Sequence, residues 1–330
     1  MAWTALTDPS GGGSGNLTVL FQQGGSIYLG GIGKVWVSSD HGGSWSEIGA
    51  GGLPATAQMS AIALAPDGTL CIGHNNSGGV NPASYYWSGS AWVLATGIPT
   101  NLTLKVSALK VAYGKLFAAT AFQGEIYVST NNGHSYSLYA TNPLIRDTAD
   151  PQTGAIWSLG LISGGRLAAS GEFGTAGGNG GIFRDPRTGG QWVGIGGFNV
   201  DGFSANEKPW CSATGKDGTI YAYRKHSSGD RVWKSTKDGV WTKISTGITQ
   251  NQVGLNMVLD ATGTLWYSQQ PNSGDGHTYR SVNLGASWAT YESGLPASTW
   301  AIDRGIVADD AYVYALMNNA GGIYRAPAGG

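Results

Sequence analysis

The chain has 330 residues, a formal net charge of −1, 12% charged residues and 41% hydrophobic residues. So weak a charge excludes recognition of nucleic acid or anionic lipid by its overall electrostatics, and no apolar run reaches the ~18 residues of a membrane span. With 55 Gly but also 13 Trp and 15 Tyr, the chain is too aromatic to be disordered; many short strands joined by glycine-rich turns fit it better.

Taken in chain order, the first segment is Trp3-Thr4-Ala5-Leu6, an aromatic opening a short β run. The residues before it carry no basic or apolar leader pattern, so no secretory signal is expected. Next comes a strand after a Gly-containing turn, Ser26-Ile27-Tyr28-Leu29. It is followed by Val35-Trp36-Val37-Ser38 and then by Trp45, an aromatic opening another strand. This order of three patterns recurs down the chain. The first returns at Leu70, Leu116, Leu167, Ile220, Leu265 and Val313. The second returns at Tyr85-Tyr86-Trp87-Ser88 and around Tyr127, Phe183, Trp233, Tyr279 and Tyr324. The third returns at Trp92, Tyr136, Trp192, Trp241 and Trp288. The seventh copy lacks its aromatic, and Trp3 supplies it, since Trp3-Thr4-Ala5-Leu6 reads like Trp241-Thr242-Lys243-Ile244.

Repetition at this period is the mark of a repeat architecture. The expected fold is all-β: a single seven-bladed β-propeller with four antiparallel strands per blade, its ring closed by the N-terminal strand in the last blade. The expected blades span about 16–50, 59–97, 105–140, 155–196, 208–247, 253–294, and 299–327 plus 1–8. Cys71 and Cys211 fall in blades 2 and 5 and are expected to be free thiols.

Three hairpins share a finer motif. Ser38-x-Asp40-x-Gly42-x-x-Trp45 is followed by variants with Asn131 and Asn283 in the acidic place, and Ser235–Trp241 is a shortened fourth copy. On these residues the chain resembles the Asp-box (bacterial neuraminidase repeat) β-propellers, which include sialidases, xyloglucanases, sortilin-type receptors and a photosystem assembly factor. The motif itself is a structural lock, because Asp or Asn accepts backbone N–H bonds inside its own turn. The resemblance implies a carbohydrate-related role but carries over no sialidase arginine triad, since no Arg precedes Arg146. Those xyloglucanases pair two propellers around a cleft, and this chain supplies one.

Functional residues are expected on the face of the B–C and D–A loops, where the connections are longest around blades 4 and 5. Trp157 and Trp210 fall at the top of adjacent inner strands, a placement suited to stacking on sugar rings. Arg146, Arg224 and His226 are the polar ligand-binding candidates beside them. Glu172, Asp201 and Glu207 are the catalytic candidates, because glycoside cleavage or lyase chemistry needs paired acids. Five His show no zinc-ligand spacing, so neither metal nor cofactor is expected. The expected function is recognition of a glycan or polysaccharide, as a receptor-binding or decorating protein of a virus particle or cell surface. The alternatives are a glycoside hydrolase or polysaccharide lyase, and a structural protein that binds other proteins of an assembly through its disc face.

Overall fold

A computed structural model describes residues 2–11, 17–75, 83–99, 105–121, 124–141, 155–173, 179–187, 192–197, 209–215, 217–224, 232–236, 240–248, 252–271, 277–296, 305–317 and 322–329. They form seven separate four-stranded antiparallel sheets. The inner strands are Leu17–Gln23, Met59–Leu64, Lys105–Ala112, Ala155–Ile162, Pro209–Thr214, Gln252–Leu259 and Gly305–Ala308. Each packs against the inner strand of the next blade, and that of blade 7 packs against that of blade 1. The fold is a seven-bladed β-propeller.

The chain closes its own ring. Thr4–Ala5 is the outer strand of blade 7, with Thr4 opposite Arg325 and Ala5 opposite Tyr324. Trp3 is 3% exposed, its backbone N–H donates to Ser293 O at 2.8 Å, and its indole Nε1 donates to Tyr291 O at 2.9 Å. Pairing the last blade with the opening segment covers an edge that would otherwise be free to pair with another chain.

The core is divided into seven apolar clusters, one in each seam between consecutive blades. Second strands such as Leu70–His74 and Leu116–Ala121 therefore face a neighbour on both sides and read as continuous buried runs. The repeated aromatic stitches the seams. The indole Nε1 of Trp92 donates to Ile48 O at 3.0 Å, that of Trp288 to Ile244 O at 2.6 Å, and that of Trp241 to Ile195 O. Each acceptor lies three residues after the aromatic of the preceding blade, as Tyr291 does for Trp3. The glycine that ends several blades serves the same seam. Gly294 has φ +88°, and a Cβ there would stand 2.1 Å from Trp3 O.

The Ser-x-Asp/Asn-x-Gly hairpins have one geometry in blades 1, 3 and 6. Ser38 Oγ donates to Asp40 Oδ1 at 2.7 Å, the Gly42 N–H donates to Ser38 Oγ at 2.8 Å, and the Ser44 N–H donates to Asp40 Oδ1 at 2.8 Å. Asn131 and Asn283 receive the equivalent bonds from Ser135 and Ser287. The Ser44 hydroxyl, then the Ser44 N–H and the Ser38 hydroxyl, hold the Asp40 carboxyl well below the ordinary carboxylate range. Residues 237–239 of the shortened copy lie outside the described residues.

Blade 2 corrects one alignment. The repeat places Tyr85-Tyr86-Trp87-Ser88 against Val35-Trp36-Val37-Ser38, but Cys71 pairs with Tyr86 as Tyr28 pairs with Val37. Blade 2 is therefore offset by one residue. Its turn is short, closed by the Ser88 N–H donating to Ala91 O, so the ladder runs on to pair Trp87 with Trp92.

Candidate functional site

The geometry that sets the mouth of the central channel is a β-bulge. Six inner strands skip one residue in their pairing, at Thr18, Ser60, Ser107, Trp157, Trp210 and Leu255. The extra residue lies outside the ladder. In blades 2 and 3 it is a small hydroxyl residue that clips its blade to the next. Ser60 Oγ donates to Val106 O at 2.6 Å, and Ser107 Oγ donates to Ile156 O at 2.5 Å. Blades 4 and 5 put tryptophan at this position instead. The indole of Trp157 is partly exposed, and the Lys105 ammonium of blade 3 sits 5.8 Å from its ring centroid. Burial pushes the Lys105 pKa below the ordinary lysine value.

Two other site residues fall on described backbone. Glu172 lies in the second strand of blade 4, opposite Ala155, and Arg224 ends the second strand of blade 5, opposite Pro209. The register thus brings Trp157 and Glu172 to the same end of blade 4, and Trp210 and Arg224 to the same end of blade 5. For Glu172, Trp210 and Arg224 the description is of the backbone alone. Arg146, Asp201, Glu207 and His226 lie outside the described residues. Lys105 and the clips of Ser60 and Ser107 escaped the sequence reading. Their signal was a fixed spacing from the bulge, which is visible only once the pairing register is known.

The opposite face holds a cup of about 650 Å³ where the A–B turns of blades 5, 6, 7 and 1 meet, lined in part by Gln22, His41, Thr214, Asp260, Asp309 and Asp310. Two of its acids serve the scaffold. Asp260 is 5% exposed; its Oδ1 accepts from the Thr262 hydroxyl and the Thr262 and Thr264 N–H groups, and its Oδ2 accepts from Trp266 Nε1 and the Gly329 N–H. Asp309 accepts from the N–H groups of Ala311 and Tyr312 and from the Tyr314 hydroxyl, and His41 Nδ1 lies 3.1 Å away. Between cup and mouth, Leu20, Ile62, Leu109, Met257 and Ile306 share one register position on the inner strands and are buried. Among the described residues no group of three or more His, Cys, Asp or Glu is placed to hold a metal ion. Cys71 is a free, buried thiol in the seam of blades 2 and 3, and burial pushes its pKa up to about 12, so it is unreactive. Of Cys211 only the backbone is described.

Lys110 is a second desolvated lysine on the same strand, at the register position that Phe21 and Val258 occupy in their blades. It has no ionic partner among the described residues. Burial lowers its pKa, so folding disfavours its charged form. The resulting destabilisation is full below the folded pKa and fades as pH rises through the folded value toward the ordinary lysine value. Lys110→Met is therefore expected to raise unfolding stability at pH 7 by about 1 kcal/mol, with the gain fading as pH rises toward the ordinary lysine value of about 10.4. Urea midpoints of both proteins at pH 7 and 10.5 check this.

Comparison with known proteins places the fold and leaves the activity open. No family model matches the chain. A curated xyloglucanase from a Paenibacillus species is 34% identical over 108 residues, which is 32% of this chain and 10% of that protein. The chain thus spans about a tenth of the curated relative it matches. Among solved structures, YCF48 from Cyanidioschyzon merolae superposes with a TM-score of 0.70 at 14% identity, covering 100% of both chains. A structure of YCF48 bound to D1 peptide gives 0.68 at 12% identity, covering 98% of this chain and 94% of the other. The GH74 xyloglucanase from Xanthomonas campestris gives 0.67 at 17% identity, covering 98% of this chain and 53% of that one. At these identities the structural likenesses show the fold alone.

Proposed function

We propose that this protein is a glycan-recognising propeller whose binding surface is the channel mouth at blades 3 to 5. The observation that carries the reading is the replacement of a small hydroxyl clip by Trp157, with its partly exposed indole beside a lysine ammonium. A flat apolar ring edged by polar groups complements a sugar, whose C–H face is apolar and whose hydroxyls need partners. Trp210, in the matching bulge of blade 5, supplies a second ring, and Arg146, Arg224 and His226 supply polar contacts. The local identity to a xyloglucanase supports a carbohydrate ligand and makes xyloglucan oligosaccharides the first to test. The Ser-x-Asp-x-Gly hairpins support membership of the Asp-box group. Display on a virus particle or cell surface is the setting we assign to such a binder.

The test is calorimetric titration with xyloglucan oligosaccharides and a wider glycan panel. Trp157→Ala is expected to weaken binding at least ~10-fold with the fold intact by circular dichroism, a loss typical of a stacked aromatic anchor. Unchanged affinity in that variant and in Trp210→Ala overturns the proposal, as does the absence of binding to every glycan. Product release from a bound polysaccharide, abolished in Glu172→Gln or Glu207→Gln, moves the protein to the hydrolase or lyase reading with Asp201 as a further acid. A second reading, a protein-binding disc, is supported by the near-complete superposition on YCF48 bound to D1 peptide. A stable protein complex from the native source, without glycan binding, favours it.

A further inference from the structure

We infer that the channel mouth selects an acidic glycan, with the Lys105 ammonium receiving a uronate carboxylate or a sulfate ester while Trp157 stacks on the sugar ring. This rests on the reading of the mouth as a glycan surface and names its ligand class. The close cation–carboxylate contacts among the described residues are Lys34–Glu47 and, ionic only when the imidazole is protonated, His41–Asp309 and His277–Glu292. Lys105 is in none of them, and among the described residues its charge contacts only an aromatic ring. Its partial burial, with no carboxylate against it among the described residues, leaves a cation that is neither well hydrated nor neutralised by them. That arrangement is unfavourable to the free protein and is relieved by an arriving anion. The placement is directional as well. Lys105 opens the inner strand of blade 3, two residues before the bulged Ser107, and its ammonium reaches the Trp157 ring of blade 4. The ammonium lies over the Trp157 ring, so a sugar docked at that ring would bring its substituents against the charge. A neutral sugar offers hydroxyl acceptors there, whereas an acidic sugar offers a charge-assisted bond that is shorter and stronger.

Lys110 provides the internal control. It is desolvated and on the same strand, but it lies roughly 15 Å further along and away from the mouth. The experiment is calorimetry of the wild type, Lys105→Met, Lys105→Arg and Lys110→Met. The ligands are three oligosaccharides of matched length: neutral xyloglucan, a polyuronate, and a sulfated glycan. The polyuronate or the sulfated glycan is expected to bind at least tenfold tighter than the neutral ligand, and the tighter of the two identifies the anion. Lys105→Met should remove that preference, weakening the acidic arm far more than the neutral one. Lys105→Arg should restore most of the preference, and Lys110→Met should not alter it. Raising salt from 50 to 500 mM should weaken the acidic arm alone. The inference is overturned if neither acidic ligand binds more tightly than the neutral one, or if Lys105→Met weakens all three arms equally. Neutral binding that is lost in Trp157→Ala without any acidic preference ends this inference but leaves the glycan reading standing. No binding in any arm ends both.

Discussion

Trp3→Ala is expected to lower unfolding stability by about 3–5 kcal/mol, the usual cost of deleting a large buried aromatic side chain. Trp3 is almost fully enclosed, sits edge-on to Trp266 with ring centroids 5.6 Å apart, and donates its indole N–H across the seam to blade 6. The loss should fall at the upper end of that range, because Trp3 is also the anchor of the closing strand. With that strand loosened, Ile323–Pro327 becomes an open edge. The variant should therefore also self-associate at concentrations where the wild type does not. Equilibrium urea unfolding followed by tryptophan fluorescence measures the first effect, and sedimentation velocity measures the second. A midpoint within experimental error of the wild type would show that the ring holds without its aromatic clasp.

Asp260→Ala is expected to cost on the order of 3 kcal/mol, although the residue lines a cup. One carboxylate there satisfies the turn after the inner strand of blade 6, the buried Trp266 indole and the backbone of Gly329. Removing it leaves several donors without an acceptor. Burial alone would raise its pKa, but the bonds from Thr262, Gly329, Trp266 and Thr264 outweigh burial and lower it. A carboxyl depressed in the folded state contributes stability above its unfolded value near 3.9, and the contribution is lost as pH falls through the folded value. The stability gap between wild type and Asp260→Ala should therefore be full at pH 6 and should narrow below about pH 4. Urea midpoints at pH 6, 4 and 3 give the comparison, and a gap independent of pH would sever the carboxylate from the effect.

Both expectations depend on which parts of a repeat protein its sequence can report. The number of blades, the order of strands and the closing role of Trp3 were legible, because each blade must solve the same local problem. Glycine is needed where φ is positive, an Asp or Asn must lock the hairpin, and an aromatic must cap each seam. Those needs recur as letters at a regular spacing. Blade 2 was misaligned by one residue because its tight Ser88–Ala91 turn lacks the lock that marks the register elsewhere. The sequence alone also placed Trp157 and Trp210 at equivalent positions in neighbouring blades. Only the tertiary structure decided that this position is a bulge, that Ser60 and Ser107 use it to clip one blade to the next, and that Lys105 of one blade reaches the ring of another. It also decided that Asp260 and Asp309 are held inside the scaffold. The physical reason is range. Turns and alternating strands are dictated by neighbours a few residues apart, whereas the mouth is assembled from side chains about fifty residues apart that meet only when the ring closes.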